Sequence, residues 1–464
     1  MSEIREVDVV VLGAGPSGEV IAGRLGGRDL EVAIVEDRLV GGECSFWACM
    51  PSKALLRPAQ ALAEARRVPG AREAVTGPLD VAAALERRTE VVHGWDDSAQ
   101  LPWLEERGVM LVRGHGHIAG KQVVHVGDVI LRARRAVVVS VGTAPLIPPI
   151  PGLAEVDPWT NREASQVRDV PASLIVLGGG PVGSELAQAF ATLGARVTLL
   201  EREDHLLGRD EPFAAELVAE GLVRAGVDVK CGVSATAVSR GADGRVTVAT
   251  SAHGAIEADE ILVASGRRHL TEDLGFEAVD VAISAHPPGS VEVGDDLRVA
   301  GHDWLYVVGD ANGRALLTHE GKHQARLAAD QICGDAGALL RTTTPPTPPP
   351  RVTFTEPQVA AVGHTEASAR EAGLHVRVVD VSTDGTAGAS FHGKGGGGTS
   401  RIVVDEDRRV IVGATFVGVD VAEWLHAATI AIVGQVSLDD LWHAIPAFPT
   451  RSEVWLNLLQ AYGL

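Results

Sequence analysis

Cysteine is scarce in this chain. The four in 464 residues, at positions 44, 49, 231 and 333, are too few and too scattered for the framework of a secreted disulfide scaffold. A close pair in a reducing compartment more often does chemistry, and Cys44 and Cys49 form such a pair. No second Cys/His pair at ligand spacing accompanies them, so the zinc reading is unsupported and no metal site is expected. Long apolar runs are missing too. The first one, Val9 to Leu12, ends at a glycine, so neither a signal peptide nor a membrane span is expected, and the expected location is cytoplasmic. Positive charge is also short. With 41 Lys+Arg against 61 Asp+Glu the formal net charge is −20, which disfavours nonspecific association with nucleic acid or an anionic membrane. With 45% hydrophobic and 22% charged residues, the composition is that of an ordinary soluble protein of two or three domains.

A βαβ opening is legible near the start. Val7 to Leu12 reads as a buried strand, Gly13-Ala14-Gly15-Pro16-Ser17-Gly18 as a glycine turn leading into a helix, and Val32 to Val35 as a second strand ending at Glu36. The pattern returns downstream as strand Ser173 to Leu177, Gly178-Gly179-Gly180-Pro181-Val182-Gly183, helix Ser184 to Leu193, strand Arg196 to Leu200, and Glu201. In such turns the glycines let the backbone approach a pyrophosphate at a helix N-terminus, and the acid ending the next strand accepts hydrogen bonds from a ribose. Gly13, Gly15, Gly18 and Glu36 are therefore candidate contacts for one dinucleotide, and Gly178, Gly180, Gly183 and Glu201 for another.

Between the two units the pattern predicts helices over Pro58 to Ala65 and Ala82 to Leu101, then strand-like stretches ending in Val137 to Gly142. The proline cluster from Ile147 to Pro151 marks an exit from the first domain. Thr342 to Pro350, reading TTTPPTPPP, is expected to run extended as a linker. Beyond it, strand segments at Arg401 to Val404 and Val410 to Phe416, and helices from Val421 and from Ser437, suggest a separate α+β domain.

The segment Gly41-Gly42-Glu43-Cys44-Ser45-Phe46-Trp47-Ala48-Cys49-Met50-Pro51-Ser52-Lys53 resembles the active-site stretch of the flavin-dependent pyridine nucleotide-disulfide oxidoreductases, the family of dihydrolipoyl dehydrogenase, glutathione reductase and mercuric reductase. Leu305 to Asp310, Leu317-Thr318-His319, Gln324-Ala325-Arg326, Ile261 to Arg267 and Val352 to Pro357 extend the likeness over essentially the whole chain. The resemblance implies an α/β fold with two Rossmann-like dinucleotide-binding domains and a C-terminal α+β dimerisation domain. The expected FAD-binding domain has a first part at 1–150 and a second, central part at 271–345, with an NAD(P)-binding domain at 151–270 and an interface domain at 346–464. FAD is expected against Gly13, Gly15, Gly18, Glu36, Gly42, Lys53, Gly142, Gly309 and Asp310, and the nicotinamide cofactor against Gly178, Gly180, Gly183, Glu201, Arg202 and Gly266. A carboxylate at Glu201 suits the free 2′-hydroxyl of NADH. Arg202 could turn toward a 2′-phosphate, but Glu203 and Asp204 beside it weaken that field, so NADH is favoured and NADPH remains possible.

By the same resemblance Cys44 and Cys49 form a redox disulfide, Cys49 facing the flavin and Cys44 the substrate. Lys53 and Glu185 sit where the family keeps an ion pair beside the flavin. A helix N-terminus and an oxidised flavin would both favour a thiolate there. The expected reaction passes electrons from NAD(P)H through FAD to the disulfide and on to a small disulfide, or runs backward as dithiol oxidation. A homodimer follows from the family architecture.

One histidine is missing. The family's C-terminal His-Pro-Thr, followed after two intervening residues by Glu, is met here by Phe448-Pro449-Thr450-Arg451-Ser452-Glu453. Phe448 thus stands at the acid/base position, and Glu453 lacks the imidazole it would orient. Such a histidine is typically worth about 10²- to 10⁴-fold. Turnover of an unactivated aliphatic disulfide is therefore expected to be slow unless the substrate brings a proton donor or an acidic leaving thiol. His443 could swing in, or be only a surface or packing residue. Trp47 and Phe448 could shape an apolar mouth for a flat or hydrophobic acceptor, or simply pack. Two alternatives follow, a reductase of quinones or other electrophiles acting directly from flavin, and a low-turnover flavoprotein redox sensor. Phe448–Pro449 is expected to be cis, and Cys231 and Cys333 to be buried.

Overall fold

The computed structural model describes residues 3–335 and 347–464. Of the expected proline linker, residues 342–346 lie outside the described residues, and 347–350 carry no regular structure. The chain divides into two compact units: Met1–Pro51 with Arg88–Leu146 and Gly266–Thr342, and Ser52–Arg87 with Ile147–Ser265 and Thr343–Leu464.

The first unit is built on a seven-stranded sheet. Glu3–Leu12 lies parallel between Val32–Glu36 and Val129–Val139, and Leu305–Val307 adds beside the latter, also parallel. Val9 to Leu12, Val32 to Val35 and Val137 to Val139 are all buried, the continuous apolar signature of strands covered on both faces. Helices Pro16–Gly26 and Thr318–Ile332 pack against each other, pinned by a bidentate Arg24–Asp330 pair at 2.8 Å.

In the second unit a parallel sheet runs in the order Asp228–Lys230, Arg196–Leu200, Ser173–Leu177, Glu260–Val263. Helix Pro181–Thr192 follows the glycine turn and is buried from Gly183 to Phe190. C-terminally, a five-stranded antiparallel sheet has Val410–Gly418 at its centre. Phe416 on that strand is fully buried and meets Trp424 and Trp455 edge-on. The α/β class with two Rossmann-like sheets and a C-terminal antiparallel domain is what the sequence led one to expect.

Local expectations fared unevenly. The helical stretch expected over Ala82 to Leu101 comes in pieces: α-helix Val81–Val91 ends before His93, Gly94 and Trp95, all at positive φ, short 3-10 turns follow at His93–Trp95 and Ser98–Gln100, and an α-helix resumes at Leu101–Glu106. The break lets the Trp95 indole donate to the Phe46 carbonyl at 3.0 Å, bracing the cysteine loop. The helix expected over Pro58 to Ala65 is much longer, Cys49–Arg67, with Pro58 inside it. Cys231 and Cys333 are only partly buried, because each sits at the end of its element, one after strand Asp228–Lys230 and one capping helix Thr318–Ile332. The Phe448–Pro449 bond is cis, as are His286–Pro287 and Glu356–Pro357.

Candidate redox-active site

Cys44 and Cys49 are joined as a disulfide with their Cα atoms 4.8 Å apart, inside the usual range for such a bridge. Two consecutive glycines at positive φ, Gly41 (111°) and Gly42 (62°), turn the chain into the short helix Gly42–Phe46 that carries Cys44. Substitution at Gly42 would drive a Cβ to 2.7 Å from the Gly15 Cα, so this turn packs on the first glycine turn. Cys49 opens helix Cys49–Arg67. On the other side Thr318, first residue of its helix, donates its hydroxyl to the Cys44 sulfur at 3.2 Å, and the same oxygen lies 3.7 Å from the Cys49 sulfur. Thr318 belongs to a motif recognised in the sequence, but nothing there signalled that its hydroxyl would reach both sulfurs.

The two glycine turns are built alike. A Cβ at Gly18 would lie 1.9 Å from the Gly13 carbonyl oxygen, and one at Gly183 would lie 1.8 Å from that of Gly178, so helix and strand are pressed together at both places. Gly13 (φ 95°) and Gly178 (φ 107°) need the left-handed region. Around Gly15 and Gly180 a Cβ would meet nothing within 4 Å. Each turn thus leaves open room at a helix N-terminus, which fits a pyrophosphate. The acids correspond as well. Glu36 accepts from the Ala14 and Arg38 amides at 2.7 and 2.9 Å, and Glu201 from the Gly179 and Glu203 amides at 2.5 and 2.9 Å. Burial is the main cause that raises the Glu36 carboxyl above its ordinary range, opposed by those amides. Glu19, in the first turn of helix Pro16–Gly26, is pushed up to about 7 by burial, with Glu36 adding and Lys322 opposing. Arg202 is exposed and pairs with Glu203 at 2.9 Å.

Asp310 accepts from the Thr143 hydroxyl at 2.6 Å. Arg267 donates to the same hydroxyl oxygen at 2.7 Å and to the Thr143 carbonyl at 2.8 Å, and its guanidinium lies 3.9 Å from Glu43. Burial moves the Asp310 carboxyl upward, against Thr143 and the charge of Arg267. Gly309 is buried, with φ 70°, and its amide donates to Gln324. Gly142 precedes this cluster at φ 71°, and Gly266 at φ 150° precedes Arg267. Thr143 had no sequence signal beyond its neighbours' motifs, and Arg267 closed a recognised motif without any sign of this contact.

Lys53 and Glu185 do form an ion pair, 2.7 Å long. The Glu185 side chain is 4% exposed and also accepts from the Phe354 amide at 2.9 Å, while the Lys53 ammonium stands 4.7 Å over the Phe354 ring. The C-terminal segment is different. Phe448 is 76% exposed and Ile445 88%, with Trp442 and His443 exposed too. One oxygen of Glu453 is buried with no hydrogen-bond partner. Away from these sites, Glu64, His392 and Asp420 bring ligand atoms within 4.8 Å of one another, but Asp420 already lies in the field of the buried Arg451, as does Arg67, which opposes binding of a cation.

The pyridine nucleotide-disulphide oxidoreductase profile matches residues 7–330, and the dimerisation domain of the same family matches 349–459. The chain is 30% identical over 464 residues to a dihydrolipoyl dehydrogenase of Thermus scotoductus, covering 99% of this chain and 98% of that one. It is 28% identical over 453 residues to a mercuric reductase of Staphylococcus aureus, covering 97% and 81%. A solved structure, the Cu(II) complex of the HOCl-induced flavoprotein disulfide reductase RclA from Escherichia coli, superposes with a TM-score of 0.85 at 24% identity over 98% of this chain and 99% of that one, a likeness of fold. The chain belongs to the pyridine nucleotide-disulphide oxidoreductase family. Within it, this is an FAD- and NAD(P)-dependent disulfide oxidoreductase of the dihydrolipoyl dehydrogenase kind. Among the described residues no helix is long and apolar enough to cross a membrane.

Two measurements test the electrostatics. A carboxyl whose folded pKa lies above its unfolded value costs nothing below about pH 4.5, and costs progressively more until about pH 7. Glu19→Gln should therefore stabilise the apoprotein at pH 8 by about 1–3 kcal/mol in urea unfolding, and leave it unchanged at pH 4. For the ion pair, a double-mutant cycle of Lys53→Met and Glu185→Gln should return a coupling of about 1–2 kcal/mol, below that of a fully buried pair because Lys53 is partly solvated. A coupling near zero would make the pair a bystander.

Proposed function

We propose that Cys44 and Cys49 are the working redox couple of an NAD(P)H-dependent reductase, with Cys49 on the flavin side and Cys44 meeting the substrate. The observation that carries this reading is the bridge itself: a disulfide at the first residue of a helix, with a hydroxyl against both sulfurs. Reduction leaves negative charge on sulfur at that helix N-terminus, where partial positive charge stabilises it. When bound, FAD would accept hydride from a reduced nicotinamide and return the electron pair to the disulfide. Gly13, Gly15, Gly18 and Gly42 would admit its pyrophosphate, Glu36 its ribose, and Gly142, Gly309 and Asp310 the remainder. Lys53, held by Glu185, would add positive charge near the flavin.

Gly178, Gly180, Gly183, Glu201, Arg202 and Gly266 would hold the nicotinamide cofactor. Glu201 faces its own turn, and Arg202 is engaged with Glu203, which supports NADH over NADPH. A homodimer is expected through the C-terminal domain, whose exposed Trp442, Ile445 and Phe448 suit an interface or an apolar substrate wall. Phe448 in place of a histidine is supported by the buried, unpartnered oxygen of Glu453. That exposed apolar segment favours a second reading, in which a flat acceptor such as a quinone takes electrons directly from flavin.

Anaerobic titration of the holoprotein with NADH and then NADPH distinguishes the two. The relay predicts a long-wavelength thiolate-to-flavin charge-transfer band that appears with less NADH than NADPH and is lost in Cys49→Ser. Flavin bleaching without the band would favour direct reduction of a quinone. No bleaching with either nucleotide would leave the redox-sensor alternative.

A further inference from the structure

Thr318 opens its helix without a side-chain cap bond, which leaves its hydroxyl to the cysteines. Its hydroxyl oxygen lies 3.2 Å from the sulfur of Cys44 and 3.7 Å from that of Cys49, and it is the first residue of a 15-residue helix, Thr318–Ile332. Cys49 is the first residue of a 19-residue helix. Two helix N-termini therefore converge on one sulfur pair, and each favours negative charge there. Disulfide sulfurs are weak acceptors, so the hydroxyl gains little in the oxidised state. Reduction changes that, because a hydroxyl has one proton to give and two lone pairs to receive another.

We propose that Thr318 is a catalytic residue, a proton relay between the two cysteines that makes the Cys44 thiolate without an imidazole. This rests on the reading that Cys44 meets the substrate. Two electrons and one proton convert the disulfide to one thiol and one thiolate. With the thiol on Cys44 and the thiolate on Cys49, the Cys44 S–H donates to the Thr318 oxygen while the Thr318 O–H donates to the Cys49 sulfur. The Cys44 proton passes to the threonine oxygen as the threonine's own proton passes to Cys49. The hydroxyl is regenerated, no electron moves, and the products are a Cys44 thiolate and a Cys49 thiol. The thiolate form of Cys44 is then ready to attack a substrate disulfide.

Other titratable groups stand nearby but make a poorer link. Glu43 adjoins Cys44 and is 3.9 Å from the Arg267 guanidinium, and His319 adjoins Thr318 on an exposed position. The Thr318 hydroxyl oxygen, by contrast, lies within reach of both sulfurs.

The test compares wild type with Thr318→Val, which keeps the shape and removes the hydroxyl, and with Thr318→Ser, which restores it. Thr318→Ala serves if the valine variant loses flavin. After chemical reduction of the holoprotein, the rate of iodoacetamide alkylation at Cys44 is followed by mass spectrometry across pH. Loss of a hydrogen bond to a charged sulfur should slow alkylation at pH 7 about tenfold, and move the rise of the rate upward by about one pH unit. Serine should recover the wild-type profile to within about twofold, and His319→Gln should leave it unchanged. A valine or alanine variant that alkylates like wild type overturns the relay, as does a profile that collapses in His319→Gln. The charge-transfer band on NADH addition reports separately on the flavin-to-disulfide reading. Its absence from wild type contradicts that reading, while the alkylation rates still decide on Thr318.

Discussion

Every helix begins with four amide N–H groups that have no partner inside the helix, and they attract negative charge. The functional architecture of this chain depends on where those helix beginnings lie. Glycine turns at Gly13–Gly18 and Gly178–Gly183 each open onto a helix start with free space beside the middle glycine. A third helix starts at Cys49 and a fourth at Thr318. Two of these ends suit phosphate, and two converge on sulfur. Carboxylates show the other side of the same rule: buried Glu36 and half-buried Glu201 are each held by two backbone amides, and buried Glu185 by an amide and an ammonium.

Proton management is the exception to that economy of means. Glu453 keeps a buried oxygen without a donor, while Phe448 turns a ring to solvent. With Phe448 read at the position where the family keeps a histidine, as proposed, the thiolate depends on dipoles and hydroxyls already in place. Helix ends lower the cost of the anion but cannot carry a proton away; Thr318 can pass one along. Substrates with acidic leaving thiols would need least help.

The fold was largely legible before the structure, because its strongest signals are local. A buried strand, a glycine turn, a helix and an acid occur within about thirty residues, and the motif repeats. The break at His93 to Trp95 was not legible, since it serves a tertiary bond from Trp95 to Phe46 that no nearby residue announces. The paired cysteines, Lys53 and Glu185 stood out through motif resemblance. The contacts of Thr318, Thr143 and Arg267 did not, because they come from approaches between segments more than a hundred residues apart. The partial exposure of Cys231 and Cys333 also followed from position at element ends, which residue type alone does not reveal.

The central claim is disulfide chemistry without a histidine acid or base. The most direct measurement is the pH profile of kcat/KM for NADH-dependent reduction of an aliphatic disulfide such as lipoamide, in wild type and in Phe448→His. The account predicts slow wild-type turnover with no ionisation near the ordinary histidine value of about 6.5. In the histidine variant such an ionisation should appear, together with a gain of at least about tenfold. Rapid wild-type turnover with an ionisation near that value, abolished by His443→Gln, would contradict it.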